Sequence, residues 1–338
     1  MRVALSADQQ AMREATVTML AAMCTTADIR AAWASDNAMS RERWGRMAEL
    51  GLTGLTVPVA LGGLGATEVD VVAIFEETGY VALPEPVIAA AVVAHVLAEA
   101  APAEAARRLP AVAAGDSVVA LGFGADGYVN HATSADFVLV IIDDAMHVVD
   151  AADLNAVAQP SVDGARRLCR IEPPAGEPVA RDAAAAARAV DRATLFTAAQ
   201  LVGLGRRCLD LSVAYARERH QFGRPIGSYQ ALKHRMADDW TALEFARPMV
   251  WRAAWSLTHD LPDATLHVSA AKAATNDAAS RAARTAVQVH GALGYTFACD
   301  VQLFLKRTLA LTNEYGDTRH HRRRLAEVLR TRDIARVP

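Results

Sequence analysis

Residues 215–230 read YARERHQFGRPIGSYQ, and this stretch decides how the second half of the chain is organised. Its first residues continue a helical pattern. Gly223 and Pro225 then set a turn, with Phe222 as an apolar anchor. Ser228 is placed to cap a second helix, because a serine hydroxyl accepts a hydrogen bond from the free amides of a helix N-terminus. The stretch therefore predicts two helices joined by a tight turn.

The same turn is crowded with basic side chains, namely Arg217, Arg219, His220 and Arg224. A plain helix connector does not require them. Arginine forks at the mouth of a helical bundle suit phosphate, which they bind through paired hydrogen bonds and a permanent charge. Two interpretations are open at this point: a well-made helix connector and a phosphate-binding turn.

Composition favours a helical protein. Apolar residues make up 52% of the 338 residues and aromatic residues only 6%. Alanine, which has the highest helix propensity, dominates the apolar set. The net charge of -3 gives no basic field that would attract nucleic acid or an anionic membrane. The expected partners are therefore small molecules or proteins.

Cysteine spacing and hydropathy indicate the cellular compartment of the protein. The cysteines lie at Cys24, Cys169, Cys208 and Cys299. They show no CxxC or Cys/His spacing, which predicts neither a metal site nor a disulfide framework. The N-terminal stretch carries charges where a signal peptide needs an apolar run, and no stretch reaches about 18 uninterrupted apolar residues. We expect a cytoplasmic protein without membrane insertion.

Three blocks follow one another along the chain: a helical domain, a small β domain and a helical bundle. Their predicted ranges are 1–113, 114–174 and 183–338. Ser6 and Gln9 form a capping box that starts the first helix. Gly79 is placed as a left-handed cap that closes the third. Short β-branched runs between turn residues mark the middle block. The predicted fold class is mainly α with a small central β domain.

Residues 122–127, GFGADG, match the glycine pattern of dinucleotide-binding folds directly after a predicted strand. That pattern needs a helix that starts at its second glycine, so that backbone N–H groups and the helix dipole meet a pyrophosphate. Residues 128–133 show no helical period. We interpret the pattern as a turn in the β domain.

Two motifs resemble the acyl-CoA dehydrogenase family. Its pattern Arg-x-x-Phe-Gly-x-x-(Ile/Leu)-x-x-x-Gln is met by Arg219, Phe222, Gly223, Ile226 and Gln230. Its pattern Gln-x-x-Gly-Gly-x-Gly-(Tyr/Phe) is similar to residues 288–295, with alanine at position 292. Segments 50–58, 62–65 and 76–79 are similar to the family's N-terminal domain. The resemblance spans most of the chain and implies an N-terminal helical domain, a reduced β domain and a C-terminal four-helix bundle.

The resemblance implies FAD as the cofactor. In that family FAD lies between the β domain and the bundle of one subunit, while a neighbouring subunit contacts its pyrophosphate and adenosine. The positions that match this contact role are Arg219, Phe222, Gln230, Gln288, Gly291 and Gly294. A compact dianionic pyrophosphate suits a permanent cation and unhindered backbone donors. The resemblance therefore implies that these residues bind FAD in trans.

The sequence departs from the family at two places. Relatives carry a Thr-Glu-Pro strand end and a Gly-Ser-Asp turn that bond the flavin, but residues 120–124 lack such side chains. The family's catalytic glutamate, in a Glu-Gly-Thr turn, falls on Tyr315 when residues are counted without a gap. A phenol, with a pKa of about 10, is a poor base at neutral pH. Glu314 beside it is the candidate catalytic residue, Asp317 lies past the turn, and a second family position for the base falls on Ala193.

The resemblance thus implies the small, base-lacking subunit of a heterotetrameric acyl-CoA dehydrogenase of the actinobacterial kind. The implied reaction is α,β-dehydrogenation of an acyl-CoA thioester, with a steroid side-chain CoA ester among the implied substrates. The implied partners are a homologous, base-carrying subunit in an α2β2 assembly and an electron-transfer acceptor. One alternative is a self-sufficient homo-oligomeric dehydrogenase that uses Glu314 or Asp317 as base. Another is a non-catalytic relative that binds FAD or acyl-CoA.

Overall fold

The computed structural model describes residues 5–331. Its α-helices are α1 (Ala7–Met23), α2 (Thr26–Ala34), α3 (Arg41–Glu49), α4 (Glu68–Tyr80), α5 (Val87–Ala100), α6 (Pro102–Ala113), α7 (Ala183–Glu218), α8 (Gln230–Thr258), α9 (Ala264–His290), α10 (Val301–Leu311) and α11 (Thr318–Thr331). Its strands are β1 (Val119–Phe123), β2 (Tyr128–Asn130), β3 (Phe137–Ile142), β4 (Ala145–Asp150), β5 (Val157–Ala158), β6 (Leu168–Arg170), β7 (Ala180–Arg181), β8 (His220–Gln221) and β9 (Arg224–Pro225).

The chain divides into two compact units. Within residues 5–331, the first comprises residues 5–13, 72–83 and 194–331. The second comprises Glu14–Val71 and Pro84–Ala193. The predicted domain boundaries at residues 113, 174 and 183 stay a prediction.

The second unit contains the mixed sheet, in the strand order β5-β6-β2-β1-β3-β4-β7. Strands β1 and β3 run parallel, with Val119 opposite Phe137, and every other pairing in the sheet is antiparallel. Buried side chains of β1, β2, β3 and β6 pack together as one core cluster. The chain from β1 to β2 passes through Gly124 and Gly127, both at positive φ. The GFGADG pattern is therefore a strand connection, as predicted.

The first helix begins as its sequence predicts. The backbone N–H of Gln9 donates to Ser6 Oγ at 3.2 Å, and the N–H of Ser6 donates to Gln9 Oε1 at 2.9 Å. This reciprocal pair is a capping box, which satisfies two amides that a helix N-terminus leaves without partners.

In the first unit, α4 and α7 approach so closely that only glycine fits at the contact. A Cβ on Gly203 of α7 would lie 1.9 Å from the Glu76 carbonyl oxygen, and a Cβ on Gly79 would lie 2.1 Å from the Gln200 carbonyl oxygen. The prediction that Gly79 is a left-handed helix cap was wrong, because Gly79 lies inside α4. Its lack of a side chain serves helix packing, and the positive φ after the helix belongs to Ala82.

Residues 5–331 show how the helices, the cysteines and the potential metal ligands are arranged. None of the helices there is both long and apolar enough to span a bilayer. All four cysteines are free and buried. That part of the chain also gathers no group of three or more His, Cys, Asp or Glu side chains suited to a metal ion.

Candidate functional site

The two sequence motifs meet in the first unit. The Tyr215 ring, in the last turn of α7, stacks on the His290 ring at the end of α9, with centroids 4.3 Å apart. Arg235 Nε of α8 donates to Thr285 Oγ1 of α9 at 3.1 Å. The C-terminal ends of α7 and α9 and the first turns of α8 therefore converge, which brings the turn after Tyr215 beside the glycine turn after His290.

The segment between α7 and α8 is a tight hairpin. Strands β8 and β9 pair His220 with Pro225 and Gln221 with Arg224, so Phe222 and Gly223 form a two-residue turn. Both have positive φ, 53° and 79°. Such a turn favours glycine, and a phenylalanine there is an uncommon, strained choice. The Phe222 side chain is 92% exposed, so burial within this chain does not offset the strain.

The helix after the hairpin starts one residue later than Ser228 predicts. Its N-cap is Tyr229, whose side chain makes no capping bond. Ser228 Oγ donates instead to the Pro225 carbonyl oxygen at 2.7 Å, which stabilises the turn. The prediction that Ser228 caps α8 was wrong, because its hydroxyl is occupied by this local carbonyl.

The basic side chains of the turn differ in what they contact. Arg224 lies over the Tyr229 ring, 4.1 Å from its centroid. His220 Nδ1 lies 2.9 Å from the Glu218 carbonyl oxygen. Arg217 and Arg219 are exposed, and among the described residues neither guanidinium has a hydrogen-bonding or ion-pair partner. Two permanent cations are thus available to a ligand at this point.

Gln230 and Gln288 complete the set of side-chain donors. Both are exposed, and within residues 5–331 neither side-chain amide is bonded to another protein group. Gln230 is the first residue of α8, and Gln288 lies in the last turn of α9. Each is on an element that the convergence of α7, α8 and α9 brings to the hairpin. The two exposed amides therefore lie on the elements that flank Arg219.

The glycine turn at the end of α9 explains which glycines are required. Gly291 has φ 60° and ψ -139°, a conformation that only glycine adopts readily. Gly294 is buried, and a Cβ there would lie 2.7 Å from the Val287 carbonyl oxygen. Ala292, the departure from the family pattern, is exposed and does not have a positive φ. The alanine is therefore compatible with the turn.

This donor set fits a diphosphate. It combines the Arg219 guanidinium, two primary amides and the backbone of Gly291, beside whose missing Cβ nothing lies within 4 Å. Permanent positive charge and unhindered backbone donors are what a pyrophosphate binds. Gln230 and Gln288 lie on the converging helices α8 and α9, and the other predicted residues lie in the turns that follow α7 and α9: Arg219, Phe222, Gly291 and Gly294.

The candidate base lies elsewhere in the first unit. Glu314 and Tyr315 follow α10 in a turn, and Tyr315 has φ 54°. Glu314 is partly exposed. Asp317 Oδ1 accepts a hydrogen bond from the His320 N–H at 2.7 Å, which lowers the pKa of that carboxyl. Asp317 is therefore used to cap α11, which leaves Glu314 as the carboxylate nearest the family's base position.

The second family position for the base carries no ionisable group. Ala193 is fully buried. The neighbouring Arg192 is bound to two carboxylates, with Nε 2.6 Å from Glu68 Oε1 and Nη2 2.7 Å from Glu99 Oε1. These glutamates neutralise the arginine, so neither is a free base.

Strand β1 shows the other departure from the family pattern. Residues Val119–Phe123 carry only apolar side chains and one glycine, Gly122. A Cβ on Gly122 would lie 2.6 Å from Val129 Cγ2. The strand end therefore provides no side-chain hydroxyl or carboxylate that could bond a flavin ring.

Comparison with known proteins decides the family. The model of the acyl-CoA dehydrogenase N-terminal domain matches residues 6–116, and that of the C-terminal domain matches residues 182–330. Acyl-CoA dehydrogenase IpdE2 of Mycobacterium tuberculosis is 33% identical over 301 residues, 89% of this chain and 90% of the relative. The chain belongs to the acyl-CoA dehydrogenase family. An IpdE2 of Mycolicibacterium smegmatis is 32% identical over 330 residues, 96% of this acyl-CoA dehydrogenase chain and 100% of the relative.

Solved acyl-CoA dehydrogenase structures share the fold. A chain of the ChsE4-ChsE5 complex from Mycobacterium tuberculosis superposes with a TM-score of 0.89 at 24% identity, over 100% of both chains. A chain of the Tcur3481-Tcur3483 steroid ACAD G363A variant superposes with a TM-score of 0.88 at 22% identity, over 96% of this chain and 98% of that one. The predicted fold class is confirmed.

Family membership also gives the cofactor and the reaction class. Acyl-CoA dehydrogenases are FAD-binding flavoproteins and oxidoreductases, which confirms the predicted cofactor. The two family-model matches leave residues 117–181 between them, and these contain β1 to β7. The part of the chain that departs most from the family pattern is therefore the sheet.

Proposed function

We propose that this chain is the base-lacking subunit of a heterotetrameric, FAD-dependent acyl-CoA dehydrogenase. It pairs with a homologous, base-carrying subunit in an α2β2 assembly and contributes FAD pyrophosphate contacts in trans. The observation that carries the proposal is the outward exposure of Arg219, Gln230 and Gln288, whose side chains have no partner among the described residues.

Exposed aromatic side chains support a protein partner at the same elements. Phe222, Tyr295 and Phe297 are 92%, 82% and 76% exposed, and Phe245 of α8 is 75% exposed. Large apolar side chains that stay in water forfeit about 1.5–3 kcal/mol each relative to full burial. Phe222 belongs to the hairpin, and Tyr295 closes the glycine turn. A partner that covers these side chains would lie against the FAD-contacting residues.

The chemistry divides between the two subunits. When bound, FAD would supply the acceptor for the hydride that leaves the β-carbon of an acyl-CoA thioester. In this chain the Arg219 guanidinium holds the pyrophosphate charge, and the amides of Gln230 and Gln288 orient it. The α-proton goes to a carboxylate of the partner, because Tyr315 and Ala193 occupy this chain's base positions.

The substrate class rests on the relatives. One solved neighbour is described as a steroid ACAD, and another as a complex of two unlike chains, ChsE4 and ChsE5. We propose a steroid-derived acyl-CoA thioester as substrate. The test is co-expression with a homologous gene from the same locus, with an affinity tag on this chain only. Recovery of equal amounts of both chains, and turnover that needs both, is the expected result.

The second candidate function is a self-sufficient homo-oligomeric enzyme, which the position of Glu314 beside Tyr315 favours. A substitution at Glu314 distinguishes the two. Replacing Glu314 with glutamine removes the carboxylate and keeps the size of the side chain. We expect turnover of the assembled complex to stay near that of the wild type. If Glu314 were the base, turnover would fall about 10²–10⁴-fold. Steady-state assays of the two complexes at equal FAD content decide between these outcomes.

A further inference from the structure

Lys272 of α9 is a fully buried lysine. Its Nζ donates to Asn276 Oδ1 at 2.9 Å, to the Leu311 carbonyl oxygen at 3.1 Å and to the Gly316 carbonyl oxygen at 3.1 Å. The three N–H donors of an ammonium are thereby matched by three oxygens. Two of those oxygens belong to the backbone on either side of one turn, where α10 ends and before α11 begins.

The turn between Leu311 and Gly316 is tightly constrained. Tyr315 and Gly316 both have positive φ, 54° and 110°. His321 Nε2 of α11 lies 3.1 Å from the Tyr315 carbonyl oxygen. A Cβ on Gly316 would lie 2.6 Å from His320 Cδ2 and 2.8 Å from His321 Nε2. The turn is therefore held by Lys272 at both ends and by His321 between them.

A lysine is a costly choice for a buried position, because burial penalises its charge. A methionine would fill the same space without that penalty, but it would leave the Gly316 carbonyl oxygen without a donor and the Leu311 carbonyl oxygen with only the 3.3 Å bond from the Glu314 N–H. Buried polar groups without partners destabilise a fold. Two of the three contacts of Lys272 are thus with the turn, and the third is with Asn276 of its own helix.

We propose that Lys272 is the positioning residue of the Leu311–Gly316 turn, which carries Glu314 and Tyr315 at the family's base position. The charged and titratable groups that face it are Glu314 from the turn, Asp317 directly after the turn and His321 from α11. The proposal concerns contacts within this chain, so it stands whether or not the chain acts in a heterotetramer.

The proton on Lys272 is linked to the state of the turn. Burial lowers the pKa of Lys272 from 10.5 to about 7, although Glu314 and Asp317 act in the opposite direction. In an opened turn the side chain reaches water and regains its ordinary pKa. Between these two pKa values the open state binds more protons. The closed turn, which then holds Lys272 as a neutral amine with two N–H donors, therefore becomes more favoured as pH rises from about 7 towards 10.5.

Hydrogen exchange of the full-length protein tests the proposal. Protection of the amides at residues 312–317 is measured from pH 7 to pH 10.5, corrected for intrinsic exchange, in the wild type, Lys272→Met and Lys306→Met. Lys306 is the control lysine, because its Nζ lies over the Phe297 ring, 4.6 Å from the centroid. We expect the protection factors of the turn's amides to fall at least about tenfold in Lys272→Met and to stay unchanged in Lys306→Met.

The pH dependence separates positioning from general packing. Protection of the turn should rise with pH in the wild type and stay flat in Lys272→Met. Equal protection in both proteins, or a loss in Lys272→Met that extends evenly across the sheet and α7, would overturn the proposal. If Lys272→Met does not fold, the wild-type profile alone decides: a rise supports the proposal, and a flat profile overturns it.

Discussion

Replacing Arg219 with glutamine is expected to lower the affinity of the assembled complex for FAD by about ten- to a hundredfold. A hydrogen bond to a charged group contributes about 1.5–3 kcal/mol, which corresponds to that range of affinity. The Arg219 guanidinium is exposed and has no partner among the described residues, so the substitution removes no contact within this chain. The measurement is titration of the cofactor-free complex with FAD, followed by flavin fluorescence.

Two further variants control for charge and for geometry. Arg323→Gln removes an exposed arginine from α11, outside the motif segments, and should leave FAD affinity unchanged. Arg219→Lys keeps the charge but loses the planar fork that binds phosphate with two hydrogen bonds, so an intermediate affinity is expected. Wild-type affinity in Arg219→Gln would mean that this guanidinium does not contact the cofactor.

Among glycine-to-alanine substitutions, Gly203→Ala is expected to cause the largest loss in the free energy of unfolding. The new Cβ would lie 1.9 Å from the Glu76 carbonyl oxygen and 2.5 Å from the Tyr80 amide nitrogen. Both are helix backbone atoms, which cannot rotate away as a flexible side chain can. We expect a loss of more than about 3 kcal/mol in the free energy of unfolding, or no folded protein. Denaturant unfolding followed by circular dichroism measures it.

Gly45→Ala is the matched control for that variant. Gly45 lies inside α3, and a Cβ there would meet nothing within 4 Å. Alanine has a higher helix propensity than glycine, so this variant should gain about 0.5–1 kcal/mol. Unfolding midpoints of Gly203→Ala and Gly45→Ala that both match the wild type would show that α4 and α7 do not approach so closely.

Local chemistry made several features predictable from sequence. The capping box of Ser6 and Gln9 requires only residues three apart, and the structure shows both of its hydrogen bonds. The glycine pattern at residues 122–127 could be assigned to a strand connection, because residues 128–133 have no helical period. The motif of Arg219 to Gln230 is contiguous, so its turn could be placed between two helices from the amino-acid order alone.

Features that depend on distant segments could not be predicted in the same way. Gly79 is followed by a real helix end, but its backbone contact is with Gln200, which lies far away in sequence. The stacking of Tyr215 on His290 is likewise invisible in a linear pattern, yet it brings the two motifs together. A lysine in an alanine-rich helix gives no sign that it is buried, so the role of Lys272 was missed.

The flavin-to-chain ratio of the purified protein, made with and without its homologous partner, tests the central claim most directly. We expect this chain alone to carry almost no FAD, because the proposed function gives it only pyrophosphate contacts, and strand β1 carries no hydroxyl or carboxylate for a flavin ring. Co-expression should restore close to one FAD for each pair of unlike chains. Full FAD occupancy and acyl-CoA turnover by this chain alone would contradict the proposed division between subunits.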